Sequence, residues 1–138
     1  MIFALISLEI PAGHRIHAAY CNSLKPISRL RCSVNLEYVT TPRERALGLS
    51  GRPSMPMDKG MLFVFERPGR QCMWMKDMNF SLDMIWLSPD RRVLRIVRNL
   101  SPDSYPKSFC ADDTSYVIEL NSGVSDQLGL RIGDYTEL

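Results

Sequence analysis

The sequence predicts a mainly β protein, an antiparallel β-sandwich or barrel-like single domain with one or two short helices. Runs of strand length recur along the chain, and clusters of Gly, Pro, Asp and Ser separate them at short intervals. Strands and helices do not alternate regularly, so a parallel α/β fold is disfavoured. The 138 residues, of which 45% are hydrophobic and 23% charged, suffice for one domain with its own core.

The first elements follow from local sequence. Residues 32–39 alternate apolar and polar side chains, as a half-buried strand does. Thr41, which a proline follows, fits the N-cap of a helix over 43–49. A Pro-rich loop over 52–59 leads to the continuous apolar run 60–65, which is typical of a strand buried on both faces.

The remaining elements are predicted from turn signals and apolar runs. In order they are a turn over 66–70, a short strand over 71–76, a β-hairpin over 82–97, a long loop over 99–114, a strand over 115–120, a helical turn within 123–130 and a closing strand within 131–138.

Residues 1–31 are interpreted as a divergent, loosely packed N-terminal extension of a β domain that occupies residues 32–138. The apolar segment 1–8 follows no basic residues and is short for the core of a signal peptide. A cleaved or anchoring leader is the alternative interpretation. No apolar run approaches the length of a membrane-spanning helix, so no membrane span is predicted.

Charge and cysteine content argue against several classes of function. The net charge is +2, and the basic residues within 91–98 divide between both faces of a predicted strand, so nucleic-acid binding is not expected. The four cysteines form no C-x-x-C pair, and Cys72 and Cys110 have no histidine nearby, so no structural zinc is expected. A disulfide is possible, but spacing alone does not define its partners. No cofactor is predicted.

Most of the methionines lie between Met55 and Met84. Thioethers are ligands of Cu(I). However, Met73 and Met75 share one face of a predicted strand and Cys72 lies on the other, so core packing is favoured and no metal is predicted. Met55 and Met57 lie in the Pro-rich loop, and an exposed apolar patch there would favour an interaction protein.

An ordered series of short motifs runs from about residue 33 to residue 138. They are Thr41-Pro42-x-Glu44-Arg45-x-x-Gly48-Leu49-x-x-Arg52, Gly60-Met61-Leu62-Phe63-x-Phe65, Trp74-Met75-Lys76, Leu82-Asp83, Tyr116-Val117-x-Glu119 and Gly133-Asp134. In order and spacing the series resembles the DUF192 family of small prokaryotic proteins. The resemblance implies a compact, mainly β fold with one or two short helices, and it implies no established function.

The chain departs from the family pattern in the middle of the series. Met73, Asp77, Met78 and Ser81 stand where members usually carry Phe, Asn, Thr and Pro. Asp77 adds a negative charge beside Lys76, so this member is expected to bind a variant ligand or none. Members are often exported, which implies an extracytoplasmic location, whereas the sequence as given indicates a cytoplasmic one.

Charged residues at breaks between apolar strands form the candidate ligand-binding site. Lys76 and Asp83 flank such a break, and we expect Lys76 to contact an anionic or polar ligand while Asp83 orients it. The alternative interpretation is a structural ion pair at a strand end. The candidate set comprises Arg52, Trp74, Lys76, Asp83 and Asp103, with Trp74 as an apolar wall.

These observations favour a binding or accessory module that recognises a small polar ligand or a protein partner through strand-end loops. The alternative is a hydrolytic enzyme that uses carboxylate and lysine chemistry on a saccharide or cell-envelope substrate. It would require Asp77 or Asp103 as a second acid near Asp83. Catalysis through histidine is disfavoured because His14 and His17 both lie in the extension.

Overall fold

The strand-forming segments assemble into one open, mixed β-sheet. The computed structural model describes residues 14–17, as backbone only, and residues 33–138. The elements are β1 (His14–His17), β2 (Ser33–Val39), α1 (Pro42–Leu47), β3 (Lys59–Met73), β4 (Leu82–Leu87), β5 (Val93–Leu100), a 3-10 helix (Pro102–Ser104), β6 (Phe109–Asn121) and α2 (Val124–Gln127). Across the sheet the strands follow the order β1-β2-β3-β6-β4-β5.

The sheet is mixed because β2 and β3 run parallel, while the other neighbouring strands pair antiparallel. Residues 40–58, which include α1, form the crossover that a parallel pair requires. The predicted antiparallel sandwich or barrel is therefore corrected to an open sheet with edges at β1 and β5. The mainly β class and the two short helices are confirmed. Strand direction depends on pairing between distant segments, which the pattern within one strand does not contain.

Each face of the sheet carries a hydrophobic core, because successive residues of a strand point to opposite faces. The α2-side core includes Leu62, Ile85, Ile118, Val124 and Leu128. The α1-side core includes Leu49, Phe63, Met84, Trp86 and Val117. Burial on both faces explains the continuous apolar runs that predicted the central strands.

The strands β3 and β6 continue together beyond the rest of the sheet as a two-stranded ribbon. β3 runs through Pro68-Gly69, where the sequence predicts a turn, because a register shift removes the proline from the regular ladder. Opposite this point Asp113 has a φ of 52°, as expected at a bulge. Trp86 of β4 donates its ring N–H to the Gln71 carbonyl of β3 at 3.0 Å. Since β6 separates these strands in the sheet, the ribbon must fold over the α1-side core.

A disulfide closes the far end of the ribbon. Cys72 and Cys110 are direct cross-strand partners with Cα atoms 4.1 Å apart. Their bond joins residues 38 positions apart in the chain. The other two cysteines, Cys21 and Cys32, lie outside the described residues.

Within the segment interpreted as an N-terminal extension, β1 pairs with β2. The interpretation of residues 1–13 and 18–31 as loosely packed or leader-like falls on residues outside the described ranges. The predicted closing strand near the C-terminus is only a single bridge between Arg92 and Tyr135. Within the described ranges, every helix falls short of the length and hydropathy that crossing a membrane requires.

Candidate functional site

The helix α1 is fixed at its start and loosely packed along its length. Thr41 Oγ1 accepts the Glu44 N–H at 3.2 Å, and the Glu44 carboxylate accepts the Thr41 N–H at 2.9 Å, which completes a capping box. The backbone N–H groups of Thr41 and Thr40, which both donate to the Glu44 carboxylate, lower the pKa of Glu44. No residue of α1 is buried, and Leu47 is 64% exposed. The helix therefore covers the sheet without filling the space beneath it.

That space is a cavity of about 200 Å³ between α1 and the α1-side core. Its walls come from α1, from the β3 strand and from the segment after the disulfide; they include Leu47, Phe63, Phe65, Met73, Trp74 and Met78. Leu47 and Trp74 are both exposed to solvent, Trp74 by 47%, so the cavity opens at the protein surface. Its lining is mainly apolar, as small-molecule sites usually are.

Among the described residues, Glu119 of β6 is the one acidic residue that lines this cavity. In the sheet it lies directly between Met61 of β3 and Met84 of β4, and it is only 4% exposed. Among the described residues, none donates a hydrogen bond to the Glu119 carboxyl or forms an ion pair with it. Burial raises the pKa of Glu119 to about 8. At neutral pH the site therefore holds a neutral carboxylic acid with an unused donor and acceptor.

Asp83 is the other buried acid on the neighbouring strand, and its environment is the opposite. Its side chain is fully buried. Its carboxylate accepts the backbone N–H groups of Asn99 at 2.9 Å, Gly123 at 3.0 Å and Ser125 at 3.0 Å. It also accepts the Ser125 hydroxyl at 2.6 Å. Asp83 thus joins the end of β5 to the start of α2 and does not line the cavity.

Arg52 lies in a separate, more polar cleft of about 360 Å³ beside β2 and the start of β3. Its guanidinium forms a bidentate ion pair with Glu37, with both N–O distances 2.8 Å. The Arg52 hydrogen bonds lower the pKa of Glu37 and the pairing raises that of Arg52. The arginine's charge is therefore already matched within the protein.

The five candidate residues from the sequence do not converge on one site. Only Trp74 lines the Glu119 cavity. Lys76 is exposed, and in the described part of the chain no ion pair joins it to Asp83. Asp103 is exposed on the 3-10 helix. A ligand-binding role for Arg52, Lys76, Asp83 and Asp103 stays a prediction.

The methionines pack mostly in the core, which is the interpretation that their strand pattern favours. Met61, Met73, Met75 and Met84 are buried in the α1-side core. Met55 is buried too, and its carbonyl accepts a 2.7 Å hydrogen bond from Asn121, so the expected exposed pair reduces to Met57. No group of three or more His, Cys, Asp or Glu side chains in the described ranges is placed to hold a metal ion.

Sequence reasoning overlooked Glu119 although the motif Tyr116-Val117-x-Glu119 contains it. The signal was available: two-residue periodicity places Glu119 on the same strand face as the apolar Val117, where a charged residue is rare. What the sequence could not provide was the gap beneath α1 that leaves this acid without a partner.

Together the fold and the site define a small, mainly β domain with an acid-containing apolar cavity under its first helix. The chain belongs to the DUF192 family, described as "Uncharacterized ACR", whose model matches residues 26–138. The family resemblance seen in the sequence is thereby confirmed. No curated protein matches the chain.

Two solved structures are similar over almost the whole chain. One is a protein from Sinorhizobium meliloti 1021 described as a "putative transcription regulator", with 30% identity and a TM-score of 0.78, covering 91% of this chain and 93% of that chain. The other is a protein of unknown function from Novosphingobium aromaticivorans DSM 12444, with 29% identity and a TM-score of 0.74. The match covers 88% of this chain and 95% of that chain. These neighbours agree with the fold and assign no specific function to it.

Proposed function

We propose that this domain is a binding module for a small molecule and that the cavity beneath α1 is its site. One observation carries the proposal: Glu119 is buried, unpaired among the described residues, and set in the wall of a solvent-reached cavity. The Glu119 side chain lines the cavity, where a ligand can supply the hydrogen-bond partner that no described residue supplies.

The size and lining of the cavity limit the ligand. A dry cavity of about 150 Å³ is known to hold benzene, so a space of about 200 Å³ fits a molecule slightly larger than a single ring. The aromatic and thioether walls favour an apolar body. The ligand is therefore mainly apolar with one polar group, rather than the small polar molecule that the strand-end charges indicate.

We do not propose the hydrolytic alternative. Two-carboxylate hydrolysis requires a pair of acids that face one cleft. Among the described residues that line this cavity, Glu119 carries the one carboxyl group. The oxygens of Asp83 already accept four hydrogen bonds.

The proposal is tested by titrating the protein with toluene, benzyl alcohol, benzylamine and benzoate while amide chemical shifts are recorded. We expect at least one probe to shift amides around residues 45–50, 72–74 and 119, with a dissociation constant on the order of 1 mM. Trp74→Ala removes an exposed wall and should weaken binding several-fold. Ile132→Ala removes a similarly exposed apolar side chain away from the cavity and should leave binding unchanged.

Failure of all four probes to shift these amides would overturn the proposal. So would shifts confined to the second cleft around residues 35–37 and 52–60, because that result would transfer the binding site to the Arg52 region.

A further inference from the structure

Among the described residues that line the cavity, Glu119 is the one acidic residue, and no ion pair holds it. Arg45 is the one basic residue among them. Its guanidinium, however, donates to the Val64 carbonyl at 2.9 Å and to the Thr40 carbonyl, and it lies 5.2 Å from the centre of the Phe65 ring. Burial alone raises the pKa of Glu119, so Arg45 does not compensate its charge. In the described part of the chain, no cation is bonded to Glu119, so a ligand can supply one.

The walls suit a cation better than an anion. Phe63, Phe65 and Trp74 present aromatic surfaces, on which cations bind through the ring quadrupole. Met73 and Met78 add polarisable thioethers. An anionic ligand would lie close to Glu119 and would meet Arg45 with its Nη1 already bonded to two backbone carbonyls, so it would lose hydration for fewer new hydrogen bonds.

A neutral ligand gains less than a cationic one from the same geometry. A neutral hydroxyl or carbonyl can form one ordinary hydrogen bond with the carboxylic acid. A primary ammonium forms charge-assisted hydrogen bonds with the carboxylate, which are roughly twice as strong, and its charge compensates the carboxylate that forms on binding.

We infer that the cavity is selective for a small organic cation, an amine with an apolar body whose ammonium group pairs with the Glu119 carboxylate. This inference rests on the proposed function and specifies its ligand class. Binding converts the carboxylic acid of Glu119 to the carboxylate, so one proton passes to solvent for each amine that binds below the pKa of the free acid.

This proton release gives the binding a defined pH dependence. The flanking residues on β3 and β4, Met61 and Met84, do not titrate, and among the described residues that line the cavity Glu119 is the one carboxyl group, so Glu119 governs the change. An alkylamine stays protonated between pH 6 and 8, as the lysine ammonium does. Affinity for the amine should rise with pH toward about 8, by up to about tenfold per unit.

The experiment compares benzylamine with benzyl alcohol and benzoate by calorimetry at pH 6, 7 and 8, in two buffers of different ionisation enthalpy. We expect benzylamine to bind at least about tenfold more tightly than benzyl alcohol at pH 8. Its affinity should increase from pH 6 to pH 8, and the heats should report proton release. Glu119→Gln should abolish the preference for the amine, whereas Glu66→Gln, an exposed control on β3, should retain it.

The outcomes separate this inference from the proposed function. If benzyl alcohol or benzoate binds in the cavity as well as benzylamine, the cation inference is overturned and the binding module stands. If no probe binds there, both are overturned. Should Glu119→Gln fail to fold, the pH dependence of the unmodified protein decides: an affinity for benzylamine that does not change between pH 6 and 8 contradicts the inference.

Discussion

Two carboxyl groups are buried at neighbouring register positions of β4 and β6 but on opposite faces of this sheet, and their surroundings assign them different roles. In the register of β4 against β6, Asp83 lies opposite Leu120 and Met84 lies opposite Glu119. Asp83 has a donor for each oxygen, whereas no described residue supplies one to Glu119. A saturated carboxylate holds backbone segments together, and an unsaturated acid beside a cavity is free to bind.

Replacing Asp83 by Ala should therefore lower the free energy of unfolding, as expected for a residue that holds the fold together. The change leaves the N–H groups of Asn99, Gly123 and Ser125 without their acceptor in a buried site, which costs on the order of 3–5 kcal/mol. Lys76→Ala removes an exposed charge and should change stability by less than about 0.5 kcal/mol. Urea denaturation of both variants measures the difference. Equal stabilities for the two variants would contradict the structural role assigned to Asp83.

At the scale of elements, the β3–β6 ribbon connects the sheet to the cavity. The ribbon passes over the α1-side core, and its end supplies Cys72 and Met73 to the cavity wall. The hydrogen bond from Trp86 to Gln71 and the disulfide to Cys110 hold this end in place. Because a two-stranded ribbon alone is marginal in water, these two links determine whether the wall keeps its shape.

Removal of the disulfide in a Cys72→Ala/Cys110→Ala double variant should lower the free energy of unfolding by about 2–4 kcal/mol, the usual effect of a cross-link. The variant should also bind benzylamine more weakly, since the ribbon end forms part of the cavity. Denaturant titrations of both proteins, with and without reductant, provide the measurement. Reductant should weaken the unmodified protein and leave the double variant unchanged. The same stability in both proteins under oxidising conditions would show that the link does not stabilise the ribbon.

At the scale of the whole molecule, local chemistry predicted local structure well. The N-cap signal of Thr41 and the proline after it predicted α1, and turn signals between apolar runs predicted the β4–β5 hairpin, because both depend on neighbours in sequence. The parallel pairing of β2 with β3 was not predictable in this way. It depends on where the crossover delivers the chain, which no residue within β2 or β3 encodes.

The candidate site shows the same division between local and distant determinants. Trp74 was found from its place in a motif, and the structure places it on the cavity wall. Glu119 was passed over because a glutamate in a strand is ordinarily exposed at an edge. Its burial results from β3 and β4 on either side, and its side chain lines the cavity beneath α1, away from any described donor. These relations join segments far apart in the chain.

Glu119 should also control how the stability of the whole domain varies with pH. In the unfolded chain its pKa has the ordinary value of 4.5, and in the folded domain burial raises it to about 8. Between these values the folded state keeps a proton that the unfolded state has released. The free energy of unfolding therefore falls as pH rises, by up to about 1.4 kcal/mol per pH unit, and levels off above about pH 8.

Glu119→Gln isolates this contribution, because an amide of the same shape cannot ionise. The variant should match the unmodified protein near pH 5 and exceed its stability by on the order of 3 kcal/mol at pH 7–8. Glu37, Glu44 and Asp90 have lowered pKa values, so their stabilisation is lost only in more acidic solution, outside this window. Guanidinium denaturation at pH 5, 6, 7 and 8 measures the difference, with Glu66→Gln as the exposed control. A difference that stays constant across these pH values would mean that Glu119 is ionised in the folded domain, and it would place a counter-charge beside the acid.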